Sequence, residues 1–330
     1  MSEIERLNSY YPFDEDVLHI VSDVAEAQRN SDWQTIAGKL PEPQIFIPEN
    51  GNPIQVLDIS PKDYETTQVY NLPMGCGLDA SMTMRVATLA STQPTKRVIA
   101  IGNPGGPGAN YGSLSREDRQ ALSKGNMRPV IEPMFQYLNS QKLSEAVQVG
   151  YSYGADKAAA AAFYAANYDQ VVPKAIFMEP ASVVPRSIVD LGLAFKASAD
   201  GLDEYIEATA SPAYLEARKL AEKSGHGFAG YAGGLMRLSN IAIAKSLCYP
   251  SFWPHVSGAL DQNENMKADL VWGTKSTISP DKSMRHQLRQ PNKFYDHLQR
   301  VRTLVIEGGK HAMGDDIFLL SALVLQCAKD

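Results

Sequence analysis

Short apolar runs alternate with longer amphipathic stretches along most of the chain. Runs of four to seven residues, rich in Val, Ile and Leu, predict eight strands: 44–47, 54–59, 66–72, 96–101, 146–149, 174–178, 268–272 and 303–307. Helical periodicity lies between them, for example at 78–89 and 129–138, and a closing helix is predicted after the last strand at 317–328. Strands that alternate with helices favour a mostly parallel sheet covered on both faces, so the predicted class is α/β.

Three regions differ in this pattern. Residues 1–42 lack strand signals and predict a helical N-terminal extension. Residues 43–180 and 267–330 contain all the predicted strands and form the predicted α/β core. Residues 181–266 contain helical runs broken by Gly and Pro, which predicts a helical cap (lid) inserted after the sixth strand. Ligands of open α/β sheets bind at the carboxyl edge of the strands, so we expect the cap to cover the binding site.

Composition and charge exclude several classes of protein. The 330 residues are 44% hydrophobic and 21% charged, with a net charge of −6 and no block of Lys or Arg. Nucleic acid and anionic membranes are therefore not expected partners. The N-terminus is polar, and no run approaches the roughly 18–20 apolar residues that span a bilayer, so we expect a cytoplasmic protein.

The cysteines indicate neither disulfides nor zinc. Cys76, Cys248 and Cys327 are odd in number and widely spaced, which is typical of reduced thiols. No metal and no cofactor is expected. The oligomeric state stays open, with a homo-oligomer as one alternative.

The pentapeptide Gly150-Tyr151-Ser152-Tyr153-Gly154 lies between a predicted strand and a helical run over 155–167. This is the context of a G-x-S-x-G nucleophile elbow, in which a strand turns sharply into a helix and holds the serine at the turn. The two glycines are required because the backbones approach too closely for side chains. The serine oxygen then lies at the positive end of a helix, where an oxyanion can be stabilised.

The order of these motifs resembles the α/β-hydrolase superfamily, among its esterase- and lipase-like members with a serine nucleophile. The resemblance covers about residues 43–330. Residues 103–110 are similar to the family's D-x-x-G-x-G-x-S loop after strand 4, with Asn103 and Asn110 at the acidic and serine positions. A Gly-rich oxyanion loop of the HGGG kind is the alternative. It is disfavoured because the next helix leads directly to the elbow strand.

The resemblance also implies an oxyanion hole and a histidine base. The loop after strand 66–72 has Met74-Gly75-Cys76, which keeps the family's glycine and lacks its histidine. The backbone N–H groups of Cys76 and Tyr153 are the implied donors. His311 follows the last predicted strand, where the family places its catalytic histidine.

The acid of the triad is absent from its usual place. The family's G-x-x-D-x-h-x-P segment matches residues 273–280, but Ser276 stands at the acid position and cannot stabilise an imidazolium. Glu179 ends the strand 174–178, and some members, including haloalkane dehalogenases, take their acid from this strand. Glu179 is therefore the candidate acid. A polar strand-end residue is the other interpretation of it, and Asp281 or a missing acid are the alternatives.

The resemblance implies a serine hydrolase that cleaves a small or acyl ester. Ser152 would attack the carbonyl with His311 as base, and water would hydrolyse the acyl-enzyme. Amides, thioesters and C–C bonds stay open as substrates. The alternative is an inactive relative that binds a ligand or partner, because Met74, Asn103 and Ser276 depart from the family pattern.

The predicted cap also contains a candidate acyl pocket. Residues 231–236, with Phe252 and Trp253 nearby, are small or apolar. Ordinary helix packing is the competing interpretation of these residues.

Overall fold

One sheet forms the centre of the molecule. The computed structural model describes residues 2–49, 53–103, 114–223, 238–290 and 295–329. The strands are β1 (Gln44–Phe46), β2 (Ile54–Ile59), β3 (Thr66–Asn71), β4 (Lys96–Ile101), β5 (Val147–Tyr151), β6 (Lys174–Met178), β7 (Lys267–Gly273) and β8 (Val301–Ile306). Each lies within or overlaps a run predicted from the sequence.

The strand order is β1-β2-β4-β3-β5-β6-β7-β8. β1 is antiparallel to β2, and β2 is antiparallel to β4, whereas all other neighbours are parallel. The predicted mostly parallel α/β sheet is therefore confirmed. Because the parallel strands share one direction, their carboxyl ends meet at one edge of the sheet. The loops that follow β5, β6 and β8 begin at this edge.

Helices surround the sheet. They are α1 (Glu3–Asn8), α2 (Glu15–Arg29), α3 (Trp33–Ala37), α4 (Ala80–Ser91), α5 (Arg116–Leu122), α6 (Arg128–Ser140), α7 (Tyr153–Tyr164), α8 (Ile188–Ala199), α9 (Leu202–Thr209), α10 (Pro212–Lys223), α11 (Leu238–Leu247), α12 (Phe252–Gln262), α13 (Asp281–Leu288) and α14 (Ile317–Ala328). Short 3-10 helices span Ala165–Tyr168, Tyr295–Arg300 and His311–Asp315. None of the helices in the described ranges is long and apolar enough to cross a membrane.

The two faces of the sheet bury separate apolar layers. In β6, Phe177 joins the layer formed with α6, α7 and α12, whereas Ile176 and Met178 join the layer formed with α2, α4 and α14. This division follows from the two-residue period of a strand, which points successive side chains to opposite faces. In α7, residues 158–162 are five buried alanines, and such small side chains let the helix lie close to the sheet.

The helices after β6 contact both layers as well as the carboxyl edge. α8 contacts the 3-10 helix His311–Asp315, while α10 packs against α3 and α4. α12 packs against α7, so the expected cap of residues 181–266 includes a helix that also belongs to a layer on the sheet. The expected N-terminal extension, residues 1–42, packs through α2 against α14.

Candidate active site

Ser152 lies at the turn between β5 and α7. Its backbone has φ 58° and ψ −129°, a conformation that an L-residue adopts only when its surroundings hold it there. A Cβ on Gly150 would lie 2.0 Å from the carbonyl oxygen of Gly154, and a Cβ on Gly154 would lie 1.9 Å from that of Asn71. Both predicted glycines are thus sterically required, and the turn holds the serine side chain at the carboxyl edge of the sheet.

A continuous hydrogen-bonded chain joins Ser152, His311 and Glu179. The distance from His311 Nε2 to Ser152 Oγ is 2.9 Å, and that from His311 Nδ1 to Glu179 Oε2 is also 2.9 Å. The three residues are buried, with 3%, 4% and 0% of their surface exposed. Residues that are up to 159 positions apart in the chain therefore meet at one point.

Glu179 is held in place by the loop that follows β7. Gly273 N donates to its Oε1 at 2.6 Å, and Ser276 Oγ donates to the same Oε2 that faces His311. Ser276 Oγ in turn accepts from Ser279 N at 2.9 Å. Glu179 itself has φ 51°, a second strained backbone position at this edge. Ser276 thus does not replace the acid; it hydrogen-bonds to the carboxylate that comes from the neighbouring strand.

Asp281, the alternative acid, hydrogen-bonds to Trp272 and Arg285 and not to His311. Its Oδ1 accepts from Trp272 Nε1 at 2.8 Å, and Arg285 Nε donates to it at 2.8 Å. It is the first residue of α13, where a negative charge favours the helix dipole. The structure therefore brings Glu179, and not Asp281, to His311.

Tyr151 clamps the loop that carries His311. Its hydroxyl donates to the His311 carbonyl oxygen at 2.5 Å, and its ring stacks on the imidazole with centroids 5.4 Å apart. Gly314 allows this contact, because a Cβ there would lie 2.4 Å from the Tyr151 ring. The ring of Phe195 in α8 packs edge-on against the His311 imidazole, with ring centroids 5.7 Å apart. The imidazole is thus oriented by packing as well as by its two hydrogen bonds.

Comparison with known proteins gives a sharp contrast between sequence and structure. No protein-family model matches the sequence, and no curated protein matches it either. Solved structures do match. An enol-lactonase from Burkholderia xenovorans LB400 superposes with a TM-score of 0.54 and 14% identity, covering 87% of this chain and 100% of that one.

Two further structures agree. An esterase from Exiguobacterium antarcticum has a TM-score of 0.54 at 13% identity, and a bromoperoxidase from Bacillus anthracis has 0.55 at 14%. Each covers 88% of this chain and 100% of its own. The protein has an α/β-hydrolase fold. At such low identity the likeness concerns the fold, and the chemistry has to be argued from this chain's own residues.

In this α/β-hydrolase fold, the loop after β3 lines the same cavity as Ser152, through residues 73–76. Tyr153 is the first residue of α7, so its N–H has no partner within the helix. Cys76 N is engaged in a turn with the Pro73 carbonyl oxygen at 3.3 Å. Of the two donors implied by sequence, Tyr153 is therefore free of intrahelical bonding, whereas Cys76 makes a long hydrogen bond.

The side chain of Asn103 hydrogen-bonds to the loop after β3. Its side-chain nitrogen donates to the carbonyl oxygen of Pro73 at 2.6 Å and to that of Cys76 at 3.3 Å. Its oxygen accepts from Lys157 Nζ at 3.0 Å. Lys157 is 1% exposed, and this burial lowers the pKa of the amine to about 7. No sequence pattern singles out Lys157, although it lies on α7 five residues after Ser152. Asn110, at the serine position of the loop after β4, lies outside the described residues.

A cavity of about 290 Å³ opens beside Ser152 and His311. Apolar side chains from α4, α8 and α9 form much of its wall: Met82, Phe195, Leu202 and Ile206. Phe252 and Trp253 are buried in the layer of α7 instead, where Phe252 packs edge-on against Phe177. The candidate acyl-pocket residues 231–236 lie outside the described residues. Within the part of the chain that the structure describes, no group of three or more His, Cys, Asp or Glu residues is arranged to hold a metal ion.

Proposed function

We propose that the protein is a serine hydrolase that cleaves a small or acyl ester through a covalent acyl-enzyme. The observation that carries the proposal is the hydrogen-bonded chain from Ser152 Oγ through His311 to Glu179. A serine held in a strained elbow, next to a histidine that is oriented by a carboxylate, has the geometry of an activated nucleophile. The structural neighbours named above include an esterase and a lactonase, which is consistent with this class.

The proposed mechanism begins with proton transfer. His311 Nε2 accepts the hydroxyl proton while Ser152 Oγ forms a bond to the substrate carbonyl carbon. Glu179 Oε2 accepts a hydrogen bond from His311 Nδ1–H and stabilises the imidazolium that forms. His311 then donates its proton to the leaving alcohol as the C–O bond breaks. A water molecule then attacks the acyl-enzyme carbonyl while His311 accepts its proton. Return of that proton to Ser152 Oγ releases the carboxylic acid and restores the Ser152 hydroxyl.

The tetrahedral intermediates require hydrogen-bond donors for the oxyanion. We assign the backbone N–H groups of Tyr153 and Cys76 to this role, because Tyr153 directly follows Ser152 and Cys76 lines the cavity beside it. The N-terminus of α7 adds its positive dipole end. Serine at the elbow distinguishes this chemistry from dehalogenase and epoxide hydrolase reactions, which need a carboxylate nucleophile there.

The proposal is tested with an active-site probe and model substrates. We expect a fluorophosphonate probe to label Ser152 and short- or medium-chain p-nitrophenyl esters to be hydrolysed, with both signals absent from Ser152→Ala. Absence of labelling, together with turnover no greater than that of Ser152→Ala, would overturn the enzyme proposal. That result would instead favour an inactive α/β-hydrolase fold that binds a ligand or partner.

A further inference from the structure

The cavity beside Ser152 contains a buried positive charge. Arg85 of α4 lines the same cavity as Ser152 and His311, and its side chain is 3% exposed. A charge removed from water is costly unless other groups replace the hydrogen bonds that water supplied. The partners of the guanidinium therefore decide whether Arg85 serves the fold alone or also a ligand.

The pairing of Arg85 is incomplete. Its Nη2 donates to Asp315 Oδ1 at 2.5 Å, whereas its Nε and Nη1 are buried and make no hydrogen bond of ordinary geometry to the described residues. The phenols of Tyr70 and Tyr214 interact with its charge. Burial raises the pKa of the Tyr70 phenol to about 12, while the Arg85 charge and the proximity of its side-chain donors oppose that rise. The Tyr70 hydroxyl is itself buried and makes no hydrogen bond of ordinary geometry to the described residues. Native proteins rarely leave such a group of buried polar atoms unsatisfied, unless a ligand or water binds there.

The guanidinium lies close to the reacting residues. Its central carbon is 5.9 Å from the centroid of the Tyr151 ring, the ring that also stacks on His311. Tyr151 directly precedes Ser152 in the chain. One compact molecule could therefore place a carbonyl at Ser152 and an anionic group at Arg85.

The other charged side chains of the cavity have partners or face solvent. Arg218 pairs with Asp203 at 2.9 Å, and Asp79 caps α4 by accepting from Met82 N at 2.9 Å. Glu222 is exposed. Among the described residues that line the cavity, Arg85 is thus the charged group with two buried donors, Nε and Nη1, that make no hydrogen bond of ordinary geometry.

We propose that Arg85 binds a carboxylate of the substrate, so that the preferred substrate is a small monoester of a dicarboxylic acid, or a small hydroxy acid acylated on its hydroxyl, either of which keeps a free carboxylate. The inference rests on the proposed function for the position of the ester carbonyl. The cavity volume of about 290 Å³ is at the small end of ligand sites, which run from about 300 to 1,000 Å³. Asp315 already occupies one guanidinium nitrogen, which favours a monoanion over a phosphate dianion.

The first test compares two esters that differ in one charge. p-Nitrophenyl hydrogen glutarate carries a free carboxylate, and p-nitrophenyl methyl glutarate has it methylated. We expect the wild-type kcat/KM to favour the charged ester by roughly 10- to 100-fold, the range of a charge-assisted hydrogen bond, and Arg85→Met to remove that preference. The rate with Ser152→Ala supplies the uncatalysed background. Equal kcat/KM values for the two esters in the wild type would overturn the inference.

Asp315→Asn separates ligand binding from a purely structural role. If Arg85 binds the carboxylate, this variant frees Nη2 and removes a competing negative charge, so the preference for the charged ester persists or increases. If the Arg85–Asp315 pair only supports the His311 loop, Arg85→Met and Asp315→Asn lower turnover of both esters in the same proportion. The second pattern contradicts the inference.

A binding measurement is independent of turnover. Ser152→Ala should bind monomethyl glutarate more tightly than dimethyl glutarate in calorimetry, and Arg85→Met in the same background should weaken the charged ligand by at least about 10-fold. This holds even if no ester is hydrolysed, so failure of the hydrolase proposal is distinguishable from failure of this one. Equal affinity for the two glutarates overturns the anion site.

Discussion

The hydroxyl of Ser276 donates a hydrogen bond to Oε2 of Glu179, the carboxylate oxygen that also faces His311. Ser276 stands where the α/β-hydrolase pattern places the acid, and Glu179 ends the strand beside it, with β6 and β7 paired in parallel. The carboxylate comes from the adjacent strand, and the residue at the usual position supplies a donor. The end of β6 thus supplies the carboxylate that faces His311, and the loop after β7 supplies a hydrogen-bond donor to it.

Removing the charge of Glu179 tests this arrangement. Glu179→Gln keeps the size of the side chain but no longer stabilises the imidazolium, and loss of the acid in a triad lowers kcat by about 10³- to 10⁴-fold. We expect a loss of that order in steady-state ester hydrolysis, with an unchanged circular dichroism spectrum.

Ser276→Ala is the matched control for Glu179→Gln. It removes one donor to the carboxylate but leaves the charge and the hydrogen bond from Gly273 N, so kcat should fall by about 10-fold, the low end of the range for one hydrogen bond to a charged group. Equal losses in the two variants, or full activity of Glu179→Gln, would show that the carboxylate is not the acid of the triad.

The elbow glycines can be tested through stability. In Gly154→Ala the new methyl group would meet the Asn71 carbonyl oxygen at 1.9 Å, and backbone has to move because no flexible side chain can yield. We expect a loss of several kcal/mol, larger than the roughly 1–3 kcal/mol typical of overpacking, and a clearly lower Tm in thermal unfolding.

Gly192→Ala provides the control on another helix. A Cβ at Gly192 of α8 has no heavy atom within 4 Å, so alanine there should stabilise the helix by up to about 1 kcal/mol. If Gly154→Ala unfolds at the same temperature as Gly192→Ala, the close approach at the elbow is not as described.

The buried Lys157 makes stability depend on pH. Burial lowers its pKa from 10.5 to about 7, so between these values the unfolded chain holds a proton that the folded protein has released. The free energy of unfolding therefore rises with pH across this window, by up to about 1.4 kcal/mol per pH unit from this group.

Lys157→Met removes the titrating amine and keeps much of its apolar volume. The difference in the free energy of unfolding, wild type minus variant, should increase from pH 7 to pH 9 in urea titrations. Other titrating groups cancel in this difference because both proteins contain them. A difference that stays constant with pH would mean that Lys157 remains charged in the folded protein.

Much of the fold and part of the candidate site follow from local sequence patterns. All eight strand runs and the Ser152 elbow depend on signals within a few residues, namely apolar periodicity and glycines at a crowded turn. His311 was expected from its place after the last strand. Lys157 and Arg85 lacked any such signal, because a lysine or an arginine on a helix is usually solvated.

The amino-acid sequence by itself determined the order of strands and helices and the position of the Ser152 elbow, since short-range sterics and periodicity specify both. Only the tertiary structure decided that Glu179 rather than Asp281 reaches His311, and that Arg85 is buried beside the cavity and paired with Asp315. These outcomes depend on how strands and helices distant in the chain lie side by side. Glu179 and His311 are 132 residues apart, and no local pattern encodes a contact of that range.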